Sequence, residues 1–432
     1  MKSSHLSAIL MALTFLLVSC AETNENPADK SQSYLAHRAL LTKAATDALS
    51  AGVTAEDVEN YLKCRMKVQA SDIQEISRYN IDEEAAIFIV NLKEGGWFLC
   101  SGDYSSIPVI AYSETGSFSL AGKLSPTTQG WLQTIREQIV NNRNSNSETV
   151  QVNRNDWVRA KRVVLTRSED PDTMEVDIVV DSEILRDDYY PALIETSWDP
   201  TSPYNQGLPN KNSTTKCYAS TADVCIAQLV YYTHNAFGFP NDIYASASCD
   251  QYYYQGPPYT FNFSNPSTTT WNYMPEYYTY NPTGNSYIAA LYALVSSRCG
   301  TGYDQYGGQT SRSSIPGAMS DFLLTSVTNQ SFNKYDAIDE IEDDRPVLCT
   351  GANSSSGQYD ATYLIDGYEW QIIRETEYIY DMQGHLLEQN VNTHNYFRWH
   401  YNTGDVPNTC FWGTEGYYYP YNPVMHIGWS QY

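Results

Sequence analysis

Positive charge is scarce in this sequence. Lys and Arg number 26 against 50 Asp and Glu, a formal net charge of −24. The few cations are scattered and form no basic run, so the surface repels nucleic acid and anionic headgroups, and nucleic-acid binding is excluded. Past residue 20 no apolar stretch is long enough to span a bilayer. The nine cysteines include no CxxC pair, which argues against a zinc ribbon or a dithiol redox motif. HExxH, phosphate-loop and GxSxG patterns are also missing. The carboxylates show no spaced pair of the kind a glycosidase needs. No metal and no cofactor is expected.

Tyrosine is abundant, at 37 residues. Tyr-rich polar surfaces bind sugars or peptides, because the ring gives area and the hydroxyl a hydrogen bond. The plainer alternative is a secreted β-rich protein with many half-buried tyrosines. The first twenty residues read MKSSHLSAILMALTFLLVSC, with Lys2 as a positive start and an apolar run over 6–18. Leu17-Val18-Ser19-Cys20 resembles a bacterial lipobox, which implies a lipid on the Cys20 thiol. Residues 1–20 are then a lipoprotein signal peptide and 21–32 a polar tether. The implied location is the bacterial outer membrane or cell surface, on its periplasmic or extracellular face, with membrane contact through the lipid anchor only. Eight cysteines remain: Cys64, Cys100, Cys217, Cys225, Cys249, Cys299, Cys349 and Cys410. An even number in an exported chain permits disulfides, with connectivity left open.

A length of 432 residues suits two or three domains. Apolar spacing predicts helix over 33–63, with Thr54 and Asp57 as a capping box for its second part. Strands follow at 85–92, 97–100 and 107–112, with Gly95-Gly96 as a turn, then an amphipathic helix at 131–140. Together these make a small α+β unit over 33–145. Residues 146–190 read as a linker centred on Ser168-Glu169-Asp170-Pro171-Asp172. A second domain covers 191–432. Its clearest helix is 220–232, with Ser220 as N-cap and Asp223 three residues on. Loops and short strands are expected over 240–285, helices at 288–297 and 315–324, and strands at 347–350, 362–368 and 396–401.

Two ordered sets of motifs resemble the streptopain family of papain-like cysteine peptidases. The first is Gly95-Gly96-Trp97-Phe98-Leu99-Cys100-Ser101-Gly102-Asp103, followed by Pro108 to Tyr112, Ser113 and Gly116-Ser117-Phe118. It is similar to the family's pro-domain, the Spi inhibitor domain. The second runs from Trp198 and Ser202-Pro203-Tyr204-Asn205 through Cys217 to Thr221. It continues to Ala227-Gln228-Leu229-Val230-Tyr231-Tyr232, Arg345-Pro346-Val347, Asp366-Gly367-Tyr368 and Gly416-Tyr417-Tyr418. The resemblance implies an α+β fold, with a papain-like peptidase domain after a small Spi-like inhibitory pro-domain.

That chemistry needs a thiolate at a helix N-terminus and an imidazole within reach. The resemblance puts the nucleophilic cysteine seven residues before the helix glutamine, where Thr221 stands. It puts the histidine five residues before the aspartate of Asp366-Gly367-Tyr368, where Ala361 stands. A Thr hydroxyl is a far weaker nucleophile than a thiolate, and Ala cannot move a proton. The family's WGWGG segment is replaced by Phe397-Arg398-Trp399-His400-Tyr401-Asn402-Thr403-Gly404. Substitute partners are Cys217 or Cys225 with His400. Three functions stay open: a catalytically inactive module binding a protein, peptide or glycan; an active cysteine endopeptidase with a relocated Cys–His dyad; and a peptidase inhibitor acting through residues 33–145.

Overall fold

The computed structural model describes residues 52–122, 124–165, 176–212, 215–238, 247–249, 259–261, 271–276, 281–304, 307–323, 328–353, 360–381, 384–405 and 410–427. The expected signal peptide with Cys20, the tether, the start of the 33–63 helix and the 168–172 linker core lie outside these residues.

The first described helix, α1 (Ala55–Arg65), begins at the capping box that the spacing predicts. Thr54 Oγ1 accepts from the Asp57 amide at 3.2 Å, and Asp57 Oδ2 accepts from the Thr54 amide at 2.8 Å. Each bond satisfies an amide that the helix itself cannot. An antiparallel meander follows: β1 (Ile73–Asn80), β2 (Ala86–Leu92), β3 (Trp97–Ser101) and β4 (Val109–Ser113). The β1 strand was not foreseen; its alternation of polar and apolar residues is weak. Helix α2 (Pro126–Arg143) then starts at Ser125, whose hydroxyl accepts from the Thr128 amide at 2.9 Å.

The segment that composition reads as linker contains regular structure. Helix α3 (Glu148–Leu165) buries Trp157 between the rings of Tyr61 and Tyr104. Strand β5 (Val176–Tyr190) is 15 residues long and pairs antiparallel with a distant partner.

The helical half comprises α4 (Thr221–Phe237), α5 (Pro282–Cys299) and α6 (Ile315–Leu323), with small ribbons of β6 (Ala247–Cys249) with β7 (Tyr259–Phe261) and of β8 (Gly302–Tyr303) with β9 (Gly308–Gln309). The chain then alternates strand and helix: β10 (Thr328–Ser331), α7 (Lys334–Glu342), β11 (Val347–Ala352), and the long hairpin of β12 (Asp360–Asp381) and β13 (Leu386–Asn402). It ends on β14 (Cys410–Thr414) and β15 (Tyr421–Ile427). The near part of β12 pairs with β11 and its far part with β5.

One sheet joins both halves of the sequence. Its order is β1-β2-β3-β4-β14-β13-β12-β11-β15-β10, with β5 on β12. The junction is β4 against β14, Tyr112 opposite Trp412 and Ala111 opposite Gly413. Two cores flank the sheet. One collects Trp198, Tyr204, Val224, Cys225, Tyr292 and Leu364 around α4 to α6. The other collects Trp97, Trp131, Ile135, Ala361, Trp399 and Tyr418, so α2 shares a core with the C-terminal strands. Residues 52–432 form one compact unit. Among the described residues, no helix is long and apolar enough to cross a membrane.

Candidate functional site

Helix α4 starts with a second capping box. Ser220 Oγ accepts from the Asp223 amide at 3.0 Å, and Asp223 Oδ2 accepts from the Ser220 amide at 3.3 Å. Asp223 is fully enclosed, and burial pushes its carboxyl up to about 7 against the pull of hydrogen bonds from Thr301 and Ser220. Thr301 Oγ1 donates to Asp223 Oδ1 at 2.8 Å, and the Thr310 hydroxyl lies 2.7 Å from that of Ser220. A chain of hydroxyls therefore ties the loop after α5 to the start of α4. Gly308 permits this approach: a Cβ there would stand 2.7 Å from the Ser220 amide.

Thr221 is the first residue of α4, at the positive end of the helix dipole. Its Oγ1 accepts from the Thr362 amide on β12 at 3.1 Å. The helix start and the strand thus meet directly. A cleft of about 600 Å³ opens over this meeting point. Its lining includes Tyr218, Gln309, Thr310, Arg312, Thr350, Thr362 and Asp405. Ser125 to Thr127, at the start of α2, also line it. They are held there by Ser125 Oγ donating to Asp405 Oδ2 at 2.6 Å and by Tyr419 Oη donating to the Thr127 carbonyl at 2.7 Å.

The other singled-out residues fall away from the cleft mouth. Ala361 is buried on the opposite face of β12, in the core shared with α2, and pairs with Gly351. The residue facing α4 is its neighbour Thr362. Cys225 lies one turn into α4, wholly buried, with Sγ 3.5 Å from the Thr362 carbonyl and 3.7 Å from that of Asn402. Burial drives its thiol well above the ordinary range, so it stays protonated. Cys217 is buried in the approach to α4, its carbonyl held by Asn205 Nδ2 at 3.0 Å. His400 turns Nδ1 to Asp366 Oδ1 at 2.7 Å and sets its ring edge-on to Trp412. Cys225 and His400 are not hydrogen-bonded to each other.

The segment at 397–404 does border the site. Gly404 has φ +56°, and a Cβ there would come within 2.5 Å of Val224 Cγ1. Asn402 Oδ1 accepts from Gln228 Nε2 at 3.0 Å, tying the end of β13 to the middle of α4. Sequence reading missed Thr350, Thr362, Asp405, Thr310 and Arg312. Their hydroxyl, carboxylate and guanidinium groups have no local pattern; only the tertiary register gathers them. Among the described residues no group of His, Cys, Asp and Glu is arranged to hold a metal ion.

A helix N-terminus set against an antiparallel sheet, with a preceding α+β unit against the same cleft, is the architecture of a papain-like peptidase with its pro-segment. The sequence model of the Spi protease inhibitor family matches residues 44–139, and that of the peptidase C10 family matches 198–400. The chain belongs to the peptidase C10, or streptopain, family and carries its Spi domain. Among solved structures, a mutant fragment of Prevotella intermedia prointerpain A is similar over 82% of this chain and 98% of its own length, at 14% identity and a TM-score of 0.53. The active wild-type interpain A cysteine protease of the same organism matches 55% of this chain and 94% of its own, at 17% identity and a TM-score of 0.39. A comparison with curated proteins gives no match.

Proposed function

We propose that this C10-family chain is not an ordinary cysteine peptidase and that its cleft binds an extended peptide. The observation carrying this reading is the pairing at the helix start: Thr221 Oγ1 held by the Thr362 amide, with a hydroxyl where a thiolate is needed. Among the described residues no imidazole lines the cleft beside it: Ala361 faces the far core and His400 is engaged with Asp366. The Cys225 thiol is buried and protonated, unsuited to attack. The lining of Thr310, Thr350, Thr362, Asp405 and Arg312 offers hydrogen-bond donors and acceptors, which favours a polar peptide over an apolar ligand.

Inhibition of a second peptidase is less well supported. The start of α2 is already hydrogen-bonded against this chain's own cleft. The test is hydrolysis of a mixed peptide library by purified protein, beside labelling with a thiol-directed inactivator. The expected result is no turnover, together with retention of a subset of peptides that compete with one another. Rapid cleavage abolished by the inactivator would overturn the reading in favour of the relocated dyad.

A further inference from the structure

Outside the cleft, the chain encloses a cluster of ionisable groups where α1, α3 and the β12–β13 hairpin converge. His394 on β13 is 2% exposed, Asp156 on α3 1% and Glu375 on β12 3%. His394 Nδ1 lies 3.0 Å from Asp156 Oδ1, an ionic contact with poor hydrogen-bond alignment, and Nε2 lies 3.3 Å from Glu375 Oε2. Arg65 of α1 grips Glu375 with both terminal nitrogens and stands 3.7 Å from Asp156. Tyr396 Oη donates to Asp156 Oδ2 at 3.2 Å. Tyr61 on α1 lies within electrostatic reach of Asp156, Arg65 and Arg398, and Glu377 stands two residues along β12 from Glu375.

An imidazole with a carboxylate oxygen at each nitrogen fits only as the doubly protonated cation. Either neutral tautomer sets a ring lone pair against a carboxylate in a site closed to water, where no solvent relieves the repulsion. We propose that His394 is a pH-sensitive latch holding α1 and α3 on the β12–β13 hairpin, closed by the imidazolium and loosened when it loses its proton. Helix α1 lies in the stretch matching the Spi inhibitor, and the hairpin falls almost wholly in the peptidase match. The latch therefore joins the two parts of the family architecture, whatever the cleft binds.

The sign follows from the surroundings. Burial pulls the His394 pKa down, but Asp156 and Glu375 outweigh it, and the folded-state value ends above the ordinary histidine one of 6.5. The latch's contribution is complete below about pH 6.5 and is lost as pH rises through the raised value.

The test is amide hydrogen exchange of the full chain from pH 6 to pH 9, corrected for intrinsic rates, with α5 as internal reference. Opening of α1 and α3 relative to α5 is expected to rise about fivefold or more across that range. His394→Gln is expected to remove the pH dependence and leave both helices open at every pH. Should that variant fail to fold, Asp156→Asn is expected to move the transition to lower pH, because one of the two carboxylates holding the proton is gone. A wild type whose α1 and α3 track α5 at every pH would overturn the latch. So would a transition unmoved in Asp156→Asn, or a neutral His394 ring by nitrogen NMR at pH 6.

Discussion

The cleft over α4 and the cluster around His394 are both polar, but they are built on opposite plans. The cleft is open to water and lined largely by neutral residues, hydroxyls among them, with Asp304, Arg312 and Asp405 as its charged groups. The cluster buries two carboxylates and an imidazole, with the Arg65 guanidinium in contact at its partly exposed edge. The cleft carries few charges, whereas the joint packs several together. Ionic groups in a buried joint are costly to disturb, whereas hydroxyls in a wet cleft exchange partners with water at little cost. The two regions should therefore respond to substitution very differently.

The largest effect is expected at the joint. Glu375→Ala strands Arg65 and His394 without their shared carboxylate and should cost about 3–5 kcal/mol in chemical denaturation. A loss below about 1 kcal/mol would erase the contrast. Next comes Gly404→Ala at the rim of the cleft. Its added methyl meets Val224 at 2.5 Å and takes a left-handed backbone, for a cost of about 1–3 kcal/mol in the same measurement. If the variant is as stable as the parent, the loop does not press on α4 as described. The smallest effect belongs to the cleft itself. Thr221→Cys is nearly isosteric and loses one accepted hydrogen bond, so stability should drop by about 1 kcal/mol or less. The new thiol should react with an alkylating probe at the helix start yet give no peptide turnover, since among the described residues no imidazole lines the cleft beside it. Efficient cleavage by this variant would show a base within reach that the described contacts do not reveal.

Much of the architecture was legible beforehand where the signal is local. The Thr54–Asp57 and Ser220–Asp223 boxes fix two helix starts within three residues of sequence, and both form as read. The apolar runs of β2 and β3 around Gly95-Gly96 are equally local. Residues 146–190 were opaque for the opposite reason. The charged strand β5 is stabilised by pairing with residues near 370, and α3 by aromatic partners at 61 and 104, none of which the segment itself displays. On α4 a count along one helix reaches Thr221, which starts that helix and lines the cleft. A count is less decisive on β12: going back from Asp366 reaches Ala361, but which of two adjacent residues faces α4 depends on register and on the irregularity between Ile365 and Gly367. A displacement of one residue on a strand changes the face.

The pairing of β4 with β14 also governs the order in which the chain can be completed. Strand β4 is made early and its neighbour roughly three hundred residues later, so an edge with unpaired amides waits until residues 410–414 emerge. Before then the Spi-matching part carries an open sheet edge and half of the core around Trp97, a surface inclined to pair with other chains. Closing so long a loop is slow, because the chain entropy is lost before the contacts form. Any form ending before Thr414 therefore leaves that edge unpaired and is expected to associate with other chains more readily than the full chain does.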